Sequence, residues 1–277
     1  MNHNQLITEG EKYLMHTYGR LPMVVTKGKG STIWDGEGNQ YLDFVSGIAV
    51  NGLGHCHPAV VAAIQKQSET LIHCSNLYWI EPQIQLAKLL VEHSALDKVF
   101  FCNSGAEANE GAIKLARKYA EEQGHPERIE IITMEQSFHG RTLATLKATG
   151  QEKFHQYFHP LPEGFTYVPF NDFAALEQAV NEKTCAVMLE TVQGEGGVVA
   201  AEPDYLQKVS TLCRKKDILL ILDEVQCGMG RTGTLFAYEQ YGIEPDIMTL
   251  AKSLGGGVPI GAFLAKEKVA AAFHPGD

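Results

Sequence analysis

Two rhythms of apolar and polar positions run along the chain. Apolar runs of strand length fall at 98–102, 128–134, 184–189, 218–222 and 246–250. Between them lie longer stretches with helical spacing at 58–72, 81–93, 106–122, 172–180 and 203–216, with a further one at 267–273. Three of these, after His57, Glu81 and Glu202, carry proline in the first turn, where its missing N–H costs nothing. Alternating strand and helix signals predict a mainly parallel sheet with helices on both faces.

The first fifty residues are patterned differently. A helical start at 4–16 leads into short strands around 23–25, 31–34 and 40–44. Asp35-Gly36-Glu37-Gly38-Asn39 between the last two is a hairpin-turn cluster. The stretch 136–169 reads as loop. The expected organisation is a small N-terminal α+β segment over 1–55 and a large α/β domain over 56–277.

Charge and composition narrow the function. The 277 residues carry 23 Lys plus Arg against 33 Asp plus Glu, a net charge of −10, so there is no basic footprint for nucleic acid or an anionic membrane. No apolar run approaches the roughly 18 residues of a membrane span. The polar, mixed first twenty residues carry no secretion signal. The six cysteines are scattered without paired spacing, so neither a zinc site nor a disulfide framework is expected, and the compartment reads as cytoplasmic.

Candidate chemistry gathers at predicted strand ends. Asp223 follows the most apolar strand and reads either as a helix cap or as a carboxylate in the crevice beyond the strands. Lys252 follows another strand and precedes Gly255-Gly256-Gly257. It is either a solvated surface lysine or the desolvated amine of a Schiff-base enzyme. Asn103-Ser104-Gly105-Ala106-Glu107 opens the long helix 106–122 and suits both an anion site and a plain capping box. Phe138, after the strand 128–134, is either a core ring or a stacking face. Taken together, an anion cradle, a stacking ring, a carboxylate and an amine match the needs of pyridoxal 5′-phosphate.

At these residues the chain resembles the class III pyridoxal-phosphate aminotransferases of fold type I. The resemblance runs over essentially its whole length. It is carried by Lys29-Gly30 to Trp34-Asp35, Gly54-His55-Cys56-His57-Pro58, Asn103 to Lys118, Phe138-His139-Gly140-Arg141-Thr142, Glu190 to Gly197, Leu222 to Gly233 and Ala251-Lys252. The resemblance implies that Lys252 is the Schiff-base lysine and that Asp223 pairs with the pyridine nitrogen. It places Val225 under the ring, Gln226 on the phenolic oxygen and Phe138 on the other face. Ser104, Gly105 and Ala106 hold the phosphate. Arg141, with Tyr18, binds the substrate α-carboxylate, Glu195 is a gate glutamate, and Glu190 is a further active-site glutamate.

The activity implied is transfer of the δ-amino group of N2-acetylornithine to 2-oxoglutarate, in arginine biosynthesis, by a homodimer. Ornithine δ-aminotransferases carry a tyrosine where Ser46-Gly47-Ile48-Ala49-Val50 falls; Ile48 cannot hydrogen-bond a free α-amine and so suits a capped one. The alternatives are succinylornithine, ornithine or 4-aminobutyrate as donor, or a silent binding fragment. His55 and His57 are read as a loop and helix start, not as metal ligands. Family members continue past a segment like His274-Pro275-Gly276-Asp277 with a threonine that reaches the neighbour's phosphate and a later arginine. Residues 1–277 by themselves are therefore expected to retain cofactor weakly and to turn over little or not at all.

Overall fold

A computed structural model describes residues 2–277. Two compact units divide the chain, Met1–Tyr78 and Trp79–Asp277. The sequence boundary at 55/56 follows the onset of the α/β rhythm; the packing divides later, and the helix Pro58–Thr70 falls within the first unit.

The first unit contains the helix His3–Tyr13 and an antiparallel sheet of β1 (Val25–Lys29), β2 (Thr32–Asp35) and β3 (Gln40–Leu42). The β2–β3 turn is organised by Asp35, whose carboxylate accepts from the N–H groups of Glu37 and Asn39, the Asn39 amide and the Tyr41 hydroxyl, each at 2.9 Å. Those donors hold its pKa at about 2. Asp35 is the only buried residue among the described residues of this unit, so turns and hydrogen bonds rather than an apolar core hold it. Ser46, Gly47, Ile48 and Ala49 all have positive φ, an uncommon left-handed turn for a β-branched residue such as Ile48.

The second unit is built on β4 (Lys98–Cys102), β5 (Glu130–Met134), β6 (Phe165–Val168), β7 (Thr184–Glu190), a two-residue pair β8 (Val192–Gln193) and β9 (Val199–Ala200), β10 (Leu219–Asp223), β11 (Ile247–Leu250) and β12 (Gly261–Ala265). Seven strands form one sheet in the order β4-β12-β11-β10-β7-β5-β6. Only β12 runs against the others, pairing antiparallel with both β4 and β11.

The buried strands alternate between two cores. Leu220 and Leu222 of β10, with Val187 and Leu189 of β7, face the core covered by Leu90, Leu176, Leu206 and Val209. Leu219, Ile221, Ala186 and Met188 face the opposite core, covered by Ala112, Ile113 and Ala116 of the helix Gly105–Glu122. This is the expected mainly parallel sheet with helices on both faces.

Two strands of the seven-stranded sheet differ from the sequence reading, which also did not contain the short pair β8 and β9. β12 was not expected, because Gly-Ala-Phe-Leu-Ala has weak strand propensity; its insertion between β4 and β11 is decided by burial on both faces. β6 falls in the stretch read as loop, where Pro160, Pro162, Gly164 and Pro169 hide it, and the helix Leu143–Ala148 in the same stretch is too short at six residues to show a helical period.

Candidate active site

At the carboxyl ends of β7 and β10 lie Glu190 and Asp223, and just past the end of β11 lies Lys252, where a doubly covered parallel sheet leaves its crevice. Asp223 is buried as the last residue of β10. Its Oδ2 accepts from Asn109 Nδ2 at 2.8 Å and lies 2.8 Å from His139 Nδ1, while Oδ1 accepts from Val225 N at 3.0 Å. The carboxylate oxygen is the acceptor, so His139 Nδ1 carries the hydrogen. Burial works against a charged His139 ring, yet the bond to Asp223 and its charge, with that of Glu190, outweigh it and raise the pKa. The Asn109 amide also donates to His139 O at 2.7 Å, fixing the loop that carries the ring.

Lys252 is half-buried and sits at φ +46, a strained backbone position for a side-chain-bearing residue. Burial lowers its pKa below that of an ordinary lysine; Asp223, then Glu195 and Glu190, pull the other way. Glu190 is buried, and burial lifts its pKa to about 7. Its oxygens accept from Phe138 N at 3.1 Å and Gly194 N at 3.4 Å.

Ser104 caps the helix Gly105–Glu122, its Oγ accepting from Glu107 N at 3.2 Å. Glu107 Oε2 accepts from Asn103 N, one residue before the N-cap, so this is not the return bond to Ser104 N that the expected capping box makes. Gly105 is required here by packing: a Cβ would lie 2.8 Å from Val225 Cγ1 and 3.4 Å from Ala251 Cβ. That close approach joins the helix start to the residues after Asp223 and before Lys252. The Gln226 amide lies against Gly194.

Phe138 is half-buried, edge-on to Phe154 with centroids 5.9 Å apart. The exposed Arg141 guanidinium stands 5.8 Å from the Phe138 centroid and 5.3 Å from that of Phe154. Glu195 is exposed in the β8–β9 turn. Tyr18 belongs to the first unit, is exposed, and has the Arg20 guanidinium 5.7 Å from its ring. The structure thus brings Ser104, Gly105, Ala106, Phe138, Arg141, Glu190, Glu195, Asp223, Val225, Gln226 and Lys252 onto adjoining segments of one unit.

Sequence reasoning assigned no role to Asn109, His139 or Glu224. Asn109 stands alone as a polar residue in the buried helical stripe Ala108, Ala112, Ile113, Ala116, which is the signal that could have found it. Glu224 is buried, with burial lifting its pKa to about 7, and accepts from Ala237 N at 2.8 Å and Tyr238 N at 2.7 Å. It closes the base of the loop that carries Val225 and Gln226.

Comparison with known proteins adds an independent line. The class-III aminotransferase profile matches residues 13–277. The acetylornithine aminotransferase of Caldanaerobacter subterraneus subsp. tengcongensis is 62% identical over 272 residues, 98% of this chain and 69% of its own length. The ornithine aminotransferase structure from Toxoplasma gondii superposes with a TM-score of 0.96 at 35% identity, over 100% of this chain and 66% of that one. The N-acetylornithine aminotransferase from Stenotrophomonas maltophilia K279a gives a TM-score of 0.82 at 45% identity, over 97% of this chain and 67% of that one. The chain therefore spans about two thirds of the length of these relatives.

Proposed function

The chain belongs to the class-III aminotransferase family, and from that premise we propose that it transfers the δ-amino group of N2-acetyl-L-ornithine to 2-oxoglutarate. The products are N-acetyl-L-glutamate 5-semialdehyde and L-glutamate, a step of arginine biosynthesis. The observation that carries the choice of donor is the high identity to a relative named acetylornithine aminotransferase, set against the lower identity to the ornithine aminotransferase structure. Ile48 supports it, since its side chain offers no hydrogen bond to a free α-amine.

Pyridoxal 5′-phosphate fits the residues present. Gly105 and Ala106 are the first two residues of their helix, so their N–H groups have no carbonyl a turn earlier, and with Ser104 they suit the phosphate. Asp223 suits the ring nitrogen, Gln226 the phenolic oxygen, and Val225 and Phe138 the two ring faces. Lys252 suits the aldehyde. When bound, the cofactor supplies an electron-poor ring that takes up charge as the donor's Cδ–H bond breaks.

The chain's own groups do the rest. The lowered pKa of Lys252 makes Nζ readier than an ordinary lysine to give up its proton, and so able to act as nucleophile and as base toward the donor's Cδ proton. Asn109 and His139 orient Asp223. Arg141 pairs with the substrate carboxylate, for which a planar guanidinium is suited; the family resemblance gives Tyr18 the same carboxylate. Glu195 is the gate between donor and acceptor, and Glu190, a further active-site glutamate, holds the Phe138 and Gly194 N–H groups. We take the working form to be a homodimer, supported by the large apolar side chains Phe44, Ile72 and Leu77 that the first unit exposes. A cytoplasmic setting is supported by the unpaired spacing of the cysteines. Among the described residues no helix is long and apolar enough to cross a membrane.

The test follows the visible absorbance of the holoenzyme while N2-acetylornithine or free ornithine is added. Bleaching at far lower concentration of the acetylated donor is expected. Preference for free ornithine would move the assignment to another donor of the family.

A further inference from the structure

Glu110 performs a task that no function above requires of it. It follows Asn109 on the helix Gly105–Glu122, yet its carboxylate serves a different element. Its Oε1 accepts from the Thr142 hydroxyl at 2.5 Å, Ala144 N at 3.1 Å and Thr145 N at 3.2 Å. These are the opening donors of the helix Leu143–Ala148. Thr142 stands at the N-cap of that helix but makes no capping bond of its own. Glu110 therefore caps it from outside, placing negative charge where a helix start favours it.

The same helical face touches the preceding loop at two more points. Asn109 Nδ2 donates to His139 O at 2.7 Å. Gly140 has φ +141, and a Cβ there would lie 2.5 Å from Thr145 Oγ1 and 3.0 Å from Ala106 Cβ. Ala106, Asn109 and Glu110 are spaced i, i+3, i+4, so they form one stripe that grips the segment 139–145. At its far end the short helix is held by His155, whose Nε2 lies 2.9 Å from Leu146 O and 2.8 Å from Thr149 O. Arg141 lies inside this grip, between the tightly packed Gly140 and the capped Thr142. Its own side chain is exposed and rests only on aromatic rings among its recorded contacts. Its direction is set by its backbone together with those two rings.

We propose that Glu110 is a positioning residue for Arg141: by capping the turn 142–145 it sets the backbone from which the guanidinium reaches the substrate carboxylate. This deepens the reading of the site and rests on the assignment of Arg141 to that carboxylate. Loss of the cap lets the turn relax, and an arginine displaced by even an ångström loses its bidentate geometry. The cofactor contacts assigned to Asp223, Val225, Gln226 and Lys252 come from other segments.

The test compares two amino donors on the holoenzyme: N2-acetylornithine and N-acetyl-1,4-diaminobutane, which is the same molecule without its carboxylate. The ratio of their kcat/KM values isolates carboxylate recognition. Glu110→Ala is expected to lower that ratio about ten-fold, mainly through KM for N2-acetylornithine, while the rate with the diamine stays near wild type. Glu110→Gln, which keeps an acceptor oxygen, is expected to recover most of the loss. Calorimetric titration with N-acetyl-L-norvaline, which has the carboxylate but no reacting amine, is expected to weaken in step. Arg141→Ala serves as the reference. If it collapses the ratio and Glu110→Ala does not, the positioning role is wrong. Equal loss with both donors in Glu110→Ala would mean a general structural role and would also overturn the proposal. If Arg141→Ala itself leaves the ratio unchanged, the assignment of Arg141 fails and the proposal falls with it.

Discussion

His139 Nδ1 stands 2.8 Å from Asp223 Oδ2, and both side chains are buried. With Asn109 on the same oxygen, two donors hold one carboxylate at the end of a strand. Charge and geometry can be separated here. Asp223→Asn keeps the shape and can still accept from Asn109 and His139. It is expected to fold, retain cofactor, and lose roughly 10²–10³-fold in kcat, the scale seen when a preorganised electrostatic group is removed. Steady-state kinetics beside the visible spectrum check this. Unchanged kcat would show that the charge of Asp223 plays no part in turnover.

The contact between Gly105 and Val225 predicts a paired effect. In Gly105→Ala the new methyl meets Val225 Cγ1 at 2.8 Å and Cγ2 at 3.0 Å, so something must shift. Overpacking of this kind costs about 1–3 kcal/mol. Retention of cofactor on dialysis is expected to fall, because the displaced backbone carries the phosphate-facing N–H groups. Val225→Ala opens the space, so the double substitution is expected to regain stability relative to Gly105→Ala. Strict additivity in urea titrations of the four variants would contradict the contact.

Two buried carboxyls give the stability a sign with pH. Burial lifts Glu190 and Glu224 from 4.5 to about 7 in the folded chain. Between those values the folded chain keeps protons that the unfolded chain has released. The stabilisation from each is therefore full below about 4.5 and lost as pH rises through about 7. Its slope is roughly 1 kcal/mol per pH unit per group inside that window. The raised pKa of His139 acts in the same direction. The urea midpoint is expected to fall from pH 5 to pH 8, and Glu224→Gln is expected to flatten that fall. A wild-type midpoint that rises over the window would contradict the burial of these groups as charged-form penalties.

Much of the frame was legible because local and tertiary preferences agree. Lys98–Cys102 and Pro203–Lys216 fall where the apolar runs and the helix-opening proline place them. β12 was illegible because nothing local favours a strand in Gly-Ala-Phe-Leu-Ala; its partners on both sides decide it. The same division holds at the site. Asp223 and Lys252 announce themselves as polar residues at the ends of apolar strands. Asn109, Glu110 and Glu224 act through partners 114, 32 and 13 positions away, a relation that spacing along one chain does not encode.

The central claim is that Lys252 is the amine that holds the cofactor. The most direct measurement is borohydride reduction of the holoenzyme, followed by proteolysis and mass spectrometry of the pyridoxyl-labelled peptide. One label is expected, on Lys252 Nζ, and none in Lys252→Ala. A label on another lysine, or an unaltered label in Lys252→Ala, would contradict it.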